Sequence, residues 1–173
     1  MTKSGAPSRF FYYAEGKRVP LAEERRYRVL TEVALERLVV EEPDRRRVRE
    51  RARSLPGGLL LVDLDQIPKP IADALASDAS LSTVFRHGRE LIHVLPEIAV
   101  ASSDPSALAA ARRLLEGAQA EVQGKRDDEF VARLPAASGA EILELAGRVF
   151  DQAHPEMAQP RFLRVLPRPK PAR

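Results

Sequence analysis

A chain of 173 residues with 44% apolar side chains has room for one ordinary domain or two small ones, and is too apolar for wholesale disorder. It has no Cys, which excludes disulfides, thiol catalysis and Cys-based zinc sites, and its apolar runs, such as "GGLLLV", fall far short of the ~20 residues that span a bilayer. Its 28 basic side chains nearly balance 25 acids, so the net charge of +3 does not by itself point to a nucleic-acid partner. The opening "MTKSGAPSR" lacks the apolar segment of a secretory signal, which together with the absence of Cys favours the cytoplasm.

Residues 10 to 21, "FFYYAEGKRVPL", pattern as a β-hairpin: aromatics flank a turn at "AEGK", where Gly16 can take a positive φ. Residues 27 to 40 are ambiguous. Tyr27, Val29, Thr31 and Val33 alternate like a strand, whereas Leu35, Leu38 and Val39 fit a helical face. "EPDRRRVRERARSL" reads as a helix capped by Asp44, with Val48, Ala52 and Leu55 at i, i+4 and i+7 and a stop at Pro56-Gly57-Gly58. "LLLVDL", 59 to 64, is a short buried strand. "PKPIADALASDASL" holds a helix with Ile71, Leu75 and Ala76 on one face, and "STVFRHGRELIHVL" is strand, turn at Gly88, strand.

The second half is cleaner. "EIAVAS", 97 to 102, is a strand, and Asp104-Pro105 opens a helix to Gly117 with Leu108, Ala111, Leu115 and Ala118 facing one way. "AEVQGKRDDEFVARL" reads as two strands around "GKRDD", the second placing Phe130, Ala132 and Leu134 on one side. In "SGAEILELAGRVFDQ", Ser138 and Glu141 form a capping box, and Ile142, Leu145, Ala146, Val149 and Ala153 make the apolar stripe. Pro155 stops the helix. "MAQPRFLRVL" is the last strand, an edge strand or a bulged one because of Pro160. From 97 to 166 the order is strand, helix, strand, strand, helix, strand, the split βαβ or ferredoxin-like arrangement (βαββαβ) of an α+β protein.

Two stretches rhyme across the halves. "FYYAEGKRVPLAEERRYRV" resembles "TVFRHGRELIHVLPEIAV", and "ADALASDASLSTVFR" resembles "AGRVFDQAHPEMAQPRFLR". The order of elements repeats too, which indicates a duplication with a degenerate N-terminal copy lacking a clear third strand. The chain then divides into a flexible N-terminus over 1–9, a hairpin and degenerate βαβ-type subdomain over 10–88, a ferredoxin-like subdomain over 89–166 and a proline-rich basic tail over 167–173.

Chemistry is sparse. His87, His93 and His154 have no partner at motif spacing, and no nucleophile elbow, zinc-helix or phosphate-loop motif occurs, so neither an enzyme nor a bound cofactor is indicated. Asp63 and Asp65 fall on one side of a strand; they could share a cation or simply form a solvated strand end. The Arg-rich helix over 44–54 could bind nucleic-acid phosphate, but Glu41, Glu42, Asp44 and Glu50 dilute it and no stacking aromatics interleave, so a nucleic-acid partner is the third reading.

The runs "VFRHGRELIHVLPEIAVASSDP" and "DEFVARLPAASGAEILELAGRVFDQAHPEMAQPRFLR", with the opening "FYYAEGKRVPL", resemble the N-terminal propeptide regions of bacterial subtilisin-like serine proteases. The resemblance covers nearly the whole chain and is strongest from 82 to 164. It implies a non-catalytic ferredoxin-like module that binds a subtilisin-like serine protease, fused or separate, as intramolecular chaperone, inhibitor or both. The open sheet face would pack on the protease, and the last strand and tail would lead toward its cleft. Carried over by position, the partner-binding residues are Met157, Ala158, Gln159, Pro160, Phe162, Leu163, Arg164 and Leu166. Gln159 stands where the family often has an acid before the proline. The runner-up reading is a free-standing adaptor that binds another protein through the same fold.

Overall fold

The computed structural model describes residues 9–166; the expected flexible N-terminus, all but Arg9, and the tail over 167–173 lie outside the described residues. The chain is a mixed α+β protein of antiparallel strands with five α-helices among the described residues. It divides into two compact units, one of residues 23–84 and one of residues 1–22 together with 85–173.

The expected hairpin is present as β1 (Phe10–Ala14) and β2 (Lys17–Thr31). Its loop is only Glu15-Gly16, both at positive φ (50° and 73°), closed by the pair Ala14↔Lys17. Two consecutive left-handed residues match the right-handed twist of the flanking strands, and Gly16 supplies the more costly of the two at no steric expense.

In the unit of residues 23–84, the ambiguous stretch proves to be both structures in succession. β2 runs to Thr31, whose hydroxyl accepts the Ala34 N–H at 3.2 Å and so caps α1 (Glu32–Leu38). The Arg-rich helix α2 spans Glu42–Arg51, with Glu41 at the N-cap and Asp44 inside the first turn rather than capping it. It stops earlier than its periodicity suggests. Arg53–Leu55 is a strand, β3, paired with β4 (Leu59–Asp63) across Gly57 and Gly58, both at positive φ. β3 is the third strand that the first half seemed to lack. Helix α3 (Lys69–Ser77) buries Ile71 and Leu75 but leaves Ala76 exposed, because the short helix shows the core only a narrow stripe. β5 (Ser82–His87) follows, and the strand order is β3–β4–β2–β5. Leu30, Leu35, Val48, Leu60, Val62 and Leu75 lie at the centre of this unit's core.

The other unit is built on β6 (Glu90–Ala101), one strand that continues through Pro96 where two had been expected. Helix α4 (Pro105–Gly117) is capped by the Asp104 carboxylate, which accepts the Ser106 N–H at 2.8 Å. β7 (Glu121–Arg126) and β8 (Glu129–Arg133) form a hairpin whose turn is confined to Asp127-Asp128. Helix α5 (Gly139–Ala153) carries the expected capping box: Ser138 Oγ accepts the Glu141 N–H at 3.3 Å, and the Glu141 carboxylate accepts the Ser138 N–H at 2.7 Å. Those bonds hold Glu141 below the usual carboxylate range. Replacing Ser138 with alanine is expected to cost about 1 kcal/mol in urea denaturation, with Ser138→Asp recovering most of it. α5 ends at His154 in the left-handed conformation (φ 50°, ψ 42°), just before Pro155.

The last strand, β9 (Met157–Val165), pairs among the described residues only with β6, and the order in this unit is β9–β6–β8–β7. Both expectations for Pro160 are met. β9 is an edge strand, and its register against β6 shifts between Val94 and Ile98, the residue opposite Pro160. Alternation along β6 sends Ile92, Val94, Ile98 and Val100 to one side, where they join residues of α4 and α5 in a single core.

Residues 10–22, expected in one subdomain with 23–88, are grouped instead with the C-terminal elements, and their aromatics give the reason. Tyr13 stacks on Phe150 of α5 (4.1 Å between centroids), and its hydroxyl donates to Asp151 at 2.6 Å. Phe11 lies against Gly147, where an added Cβ would stand 3.5 Å from its ring, and Tyr12 meets Phe162 of β9 edge-on at 4.9 Å. Such ring pairs contribute about 0.5–1.5 kcal/mol each beyond the area they bury.

Candidate protein-docking face

The cross-strand register of the C-terminal sheet defines what its second face, away from α4 and α5, presents. Glu129, Ala101 and Met157 lie abreast. The next row is Gln123, Val131, Ala99 and Gln159. Glu121, Arg133 and Glu97 follow, and further along the same face come the pairs His93↔Leu163 and Leu91↔Val165. The face is graded. Leu91, His93, Val131 and Val165 are buried, whereas Ala99, Ala101, Met157, Gln159 and Leu163 are half-exposed.

A charged group crosses the middle of this face. Glu97, with only 18% of its side chain exposed, accepts Arg133 Nε at 3.0 Å and faces Arg161 Nη1 at 3.4 Å. One carboxylate between two guanidiniums leaves local charge of one unit positive. The two small residues Ala99 and Ala101 stand beside it, flanked by the longer side chains of Val131, Gln159, Glu129 and Met157, which leaves a shallow dip along β6.

The residues carried over from the resemblance divide between the two faces, as the two-residue period of a strand requires. Ala158 (2% exposed) and Pro160 are buried, Ala158 in the core under the helices, and half-exposed Phe162 packs against that core. Arg164 shares their side, donating to the Tyr12 hydroxyl at 3.1 Å. Met157, Gln159 and Leu163 lie on the second face, and Leu166 is 63% exposed where the described chain ends. Of the eight, then, the structure brings three together on an accessible sheet face. Sequence reasoning missed the rest of that face, Glu97, Ala99, Ala101, Val131, Arg133 and Arg161. The alternation in "EIAVA" and "EFVAR" was the available signal.

The start of β9 is tied down separately. The Glu156 carboxylate accepts both the Ser103 N–H, at 3.1 Å, and the Ser103 hydroxyl, and is held below the usual carboxylate range by them.

The other sequence candidates resolve as structural groups. Asp63 accepts both Arg26 Nε (2.7 Å) and Nη2 (2.5 Å), and Asp65 lies 3.1 Å from the same guanidinium, so an arginine already supplies the cation between these carboxylates. Four of the five arginines of α2 are engaged with acids: Arg45 with Glu42, Arg46 with Glu50, Arg47 with Asp44, and Arg49 with Glu32. His87 Nδ1 is 3.3 Å from the Pro20 carbonyl, and His154 caps α5. His93 is buried with no partner for Nδ1, and burial pushes its pKa down to about 4. Among the described residues no cluster of three or more potential ligands could hold a metal ion, and no helix is long and apolar enough to cross a membrane.

Comparison with models of protein families, with curated proteins and with solved structures gives no match for this chain.

Proposed function

We propose that this chain is a non-catalytic binding module for a subtilisin-like serine protease, acting as its folding chaperone, its inhibitor or both. The observation that carries the reading is the half-exposed sheet face of Ala99, Ala101, Met157, Gln159 and Leu163, on the side of the sheet away from α4 and α5. The helix side is the less available one, because the β1–β2 hairpin already packs on α5 and β9. A flat face of small and medium apolar residues with a charged group at its centre suits a protein surface better than a small ligand, which needs an enclosing pocket.

The strand orders support the ferredoxin-like reading and the duplication within it. β9–β6–β8–β7, with a helix after the first and after the third strand in sequence, is the order of a split βαβ unit. β5–β2–β4–β3 in the first half is the same order, with α1 and α2 in the place of α4 and α3 in the place of α5. The hairpins agree as well: β2 and β6, the long first strands of the two halves, each follow a short strand and a tight turn, at Glu15-Gly16 and at Gly88. The sequence rhyme fell on these segments.

The test is to titrate the purified chain into a subtilisin-type protease, following peptide hydrolysis, and separately to add it to the denatured protease and measure the yield of refolded activity. Saturable inhibition or a raised refolding yield supports the proposal. A cognate protease that is neither inhibited nor assisted rejects it, and recovery of a non-protease partner on the same face would favour the adaptor reading.

A further inference from the structure

We propose that the C-terminal part of β9, residues 162–165, is a strap that opens independently of residues 157–160, and that the N-terminal hairpin carries its latch. The ladder between β9 and β6 comes in two blocks. Met157–Pro160 pair with Ile98–Ala101, and Phe162–Val165 pair with Leu91–Val94. Between them three residues of β6, including Pro96, face the single residue Arg161. The bulge interrupts the regular alternation of ladder hydrogen bonds, so the ladder is thinnest at this joint.

The two blocks are fastened differently. The first is held by buried Ala158 and Pro160 and, at its start, by Glu156 on Ser103. The second is held in part from outside the ladder, by residues almost at the other end of the chain. Arg164 lies over the Tyr12 and Phe162 rings, 5.9 and 5.7 Å from their centroids. It donates to the Tyr12 hydroxyl at 3.1 Å and to Glu90 at 3.2 Å. Arg164 and Glu90 are both more than a third exposed, so the latch can open without first disturbing the core. Val165, only 7% exposed, must be uncovered when the strap lifts, which keeps the open state rare in the free protein. The strap leads directly to Leu166, where the described chain ends.

Hydrogen exchange on the full chain tests this without any partner. Arg164→Met keeps the side-chain stem but removes the guanidinium, and Tyr12→Phe keeps the ring but removes the acceptor. Slowly exchanging amides within 162–165 should speed up about tenfold in Arg164→Met and about threefold in Tyr12→Phe, the tenfold change corresponding to about 1.4 kcal/mol. Those of 157–160 and of β8 should keep their rates. If the whole of β9 accelerates together, it is one cooperative strand and the strap is wrong; if 162–165 do not respond, the latch is wrong. Should Arg164→Met fail to fold, Tyr12→Phe decides the question by the same comparison. Because no protease is present, the result is separate from the fate of the proposed function.

Discussion

Replacing Ala101 with arginine is expected to weaken the proposed binding to a subtilisin-like protease by on the order of 10²-fold, about 3 kcal/mol, while leaving the fold intact. Ala101 sits between Glu129 and Met157 on the second sheet face and is half-exposed. In the free protein the new guanidinium can extend into water or turn toward Glu129, so folding costs little. In a complex the same group must be desolvated or must hold the two surfaces apart. Ala109→Arg is the control: Ala109 is exposed on α4, in the layer on the other side of the sheet, and should bind like the parent. Inhibition titrations and thermal melts on the three proteins decide it. An Ala101→Arg protein that melts and inhibits like the parent would remove this face from the proposed interface.

Lowering the pH from 7.5 to 4.5 should cost most of about 3 kcal/mol of stability through His93 alone. Burial lowers its pKa from 6.5 to about 4, and Nδ1 has no hydrogen-bond partner. Below pH 6.5 the unfolded chain takes up a proton at this side chain that the folded chain refuses. The stability is therefore complete above about 6.5, falls as the pH drops, and levels off below about 4; the difference of roughly 2.5 units at 1.36 kcal/mol each sets the size. Glu42, Asp78, Glu141 and Glu156 are held below the usual carboxylate range by hydrogen bonds from Arg45, Ser80, Ser138 and Ser103. Their contributions are lost only below the ordinary carboxylate pKa, near 4, so the window above about 4.5 belongs to His93. Urea denaturation at pH 7.5, 6.5, 5.5 and 4.5 measures the slope, and His93→Leu should flatten it. An equal slope in that variant would show that other groups carry the dependence.

Features set by local chemistry were readable from the residues alone. The Glu15-Gly16 turn, the Asp104 and Ser138 caps, the stop at Pro155 and the edge character of β9 each depend on a few adjacent residues. What could not be read depends on distant partners. Arg53–Leu55 continues the helical spacing of Val48 and Ala52, and only pairing with Leu59–Leu61 makes it a strand. β6 passes through Pro96 at the bulge in its pairing with β9, and the Pro96 carbonyl is still held by the Leu134 N–H at 2.9 Å. The candidate site was legible in one strand only. A two-residue period would have separated Met157, Gln159 and Leu163 from Ala158, Pro160 and Phe162, but nothing local sets Ala99 beside Val131 and Gln159.

The contact between Tyr12 and Arg164 spans 152 residues, and it joins the hairpin to the final strand of the same compact unit. On the ribosome this imposes a schedule. Residues 23–84 can begin to close their own core once they have emerged, because the buried residues that cluster in it, from Leu30 to Leu81, all lie within that stretch. The aromatic hairpin is made first yet must wait, its rings exposed, until almost the whole chain has been synthesised. At ~5–20 residues per second that interval is on the order of ten seconds. Phe10, Phe11, Tyr12 and Tyr13 are thus the residues a nascent-chain chaperone would meet first and hold longest, and the unit that carries the proposed docking face is the last to be completed.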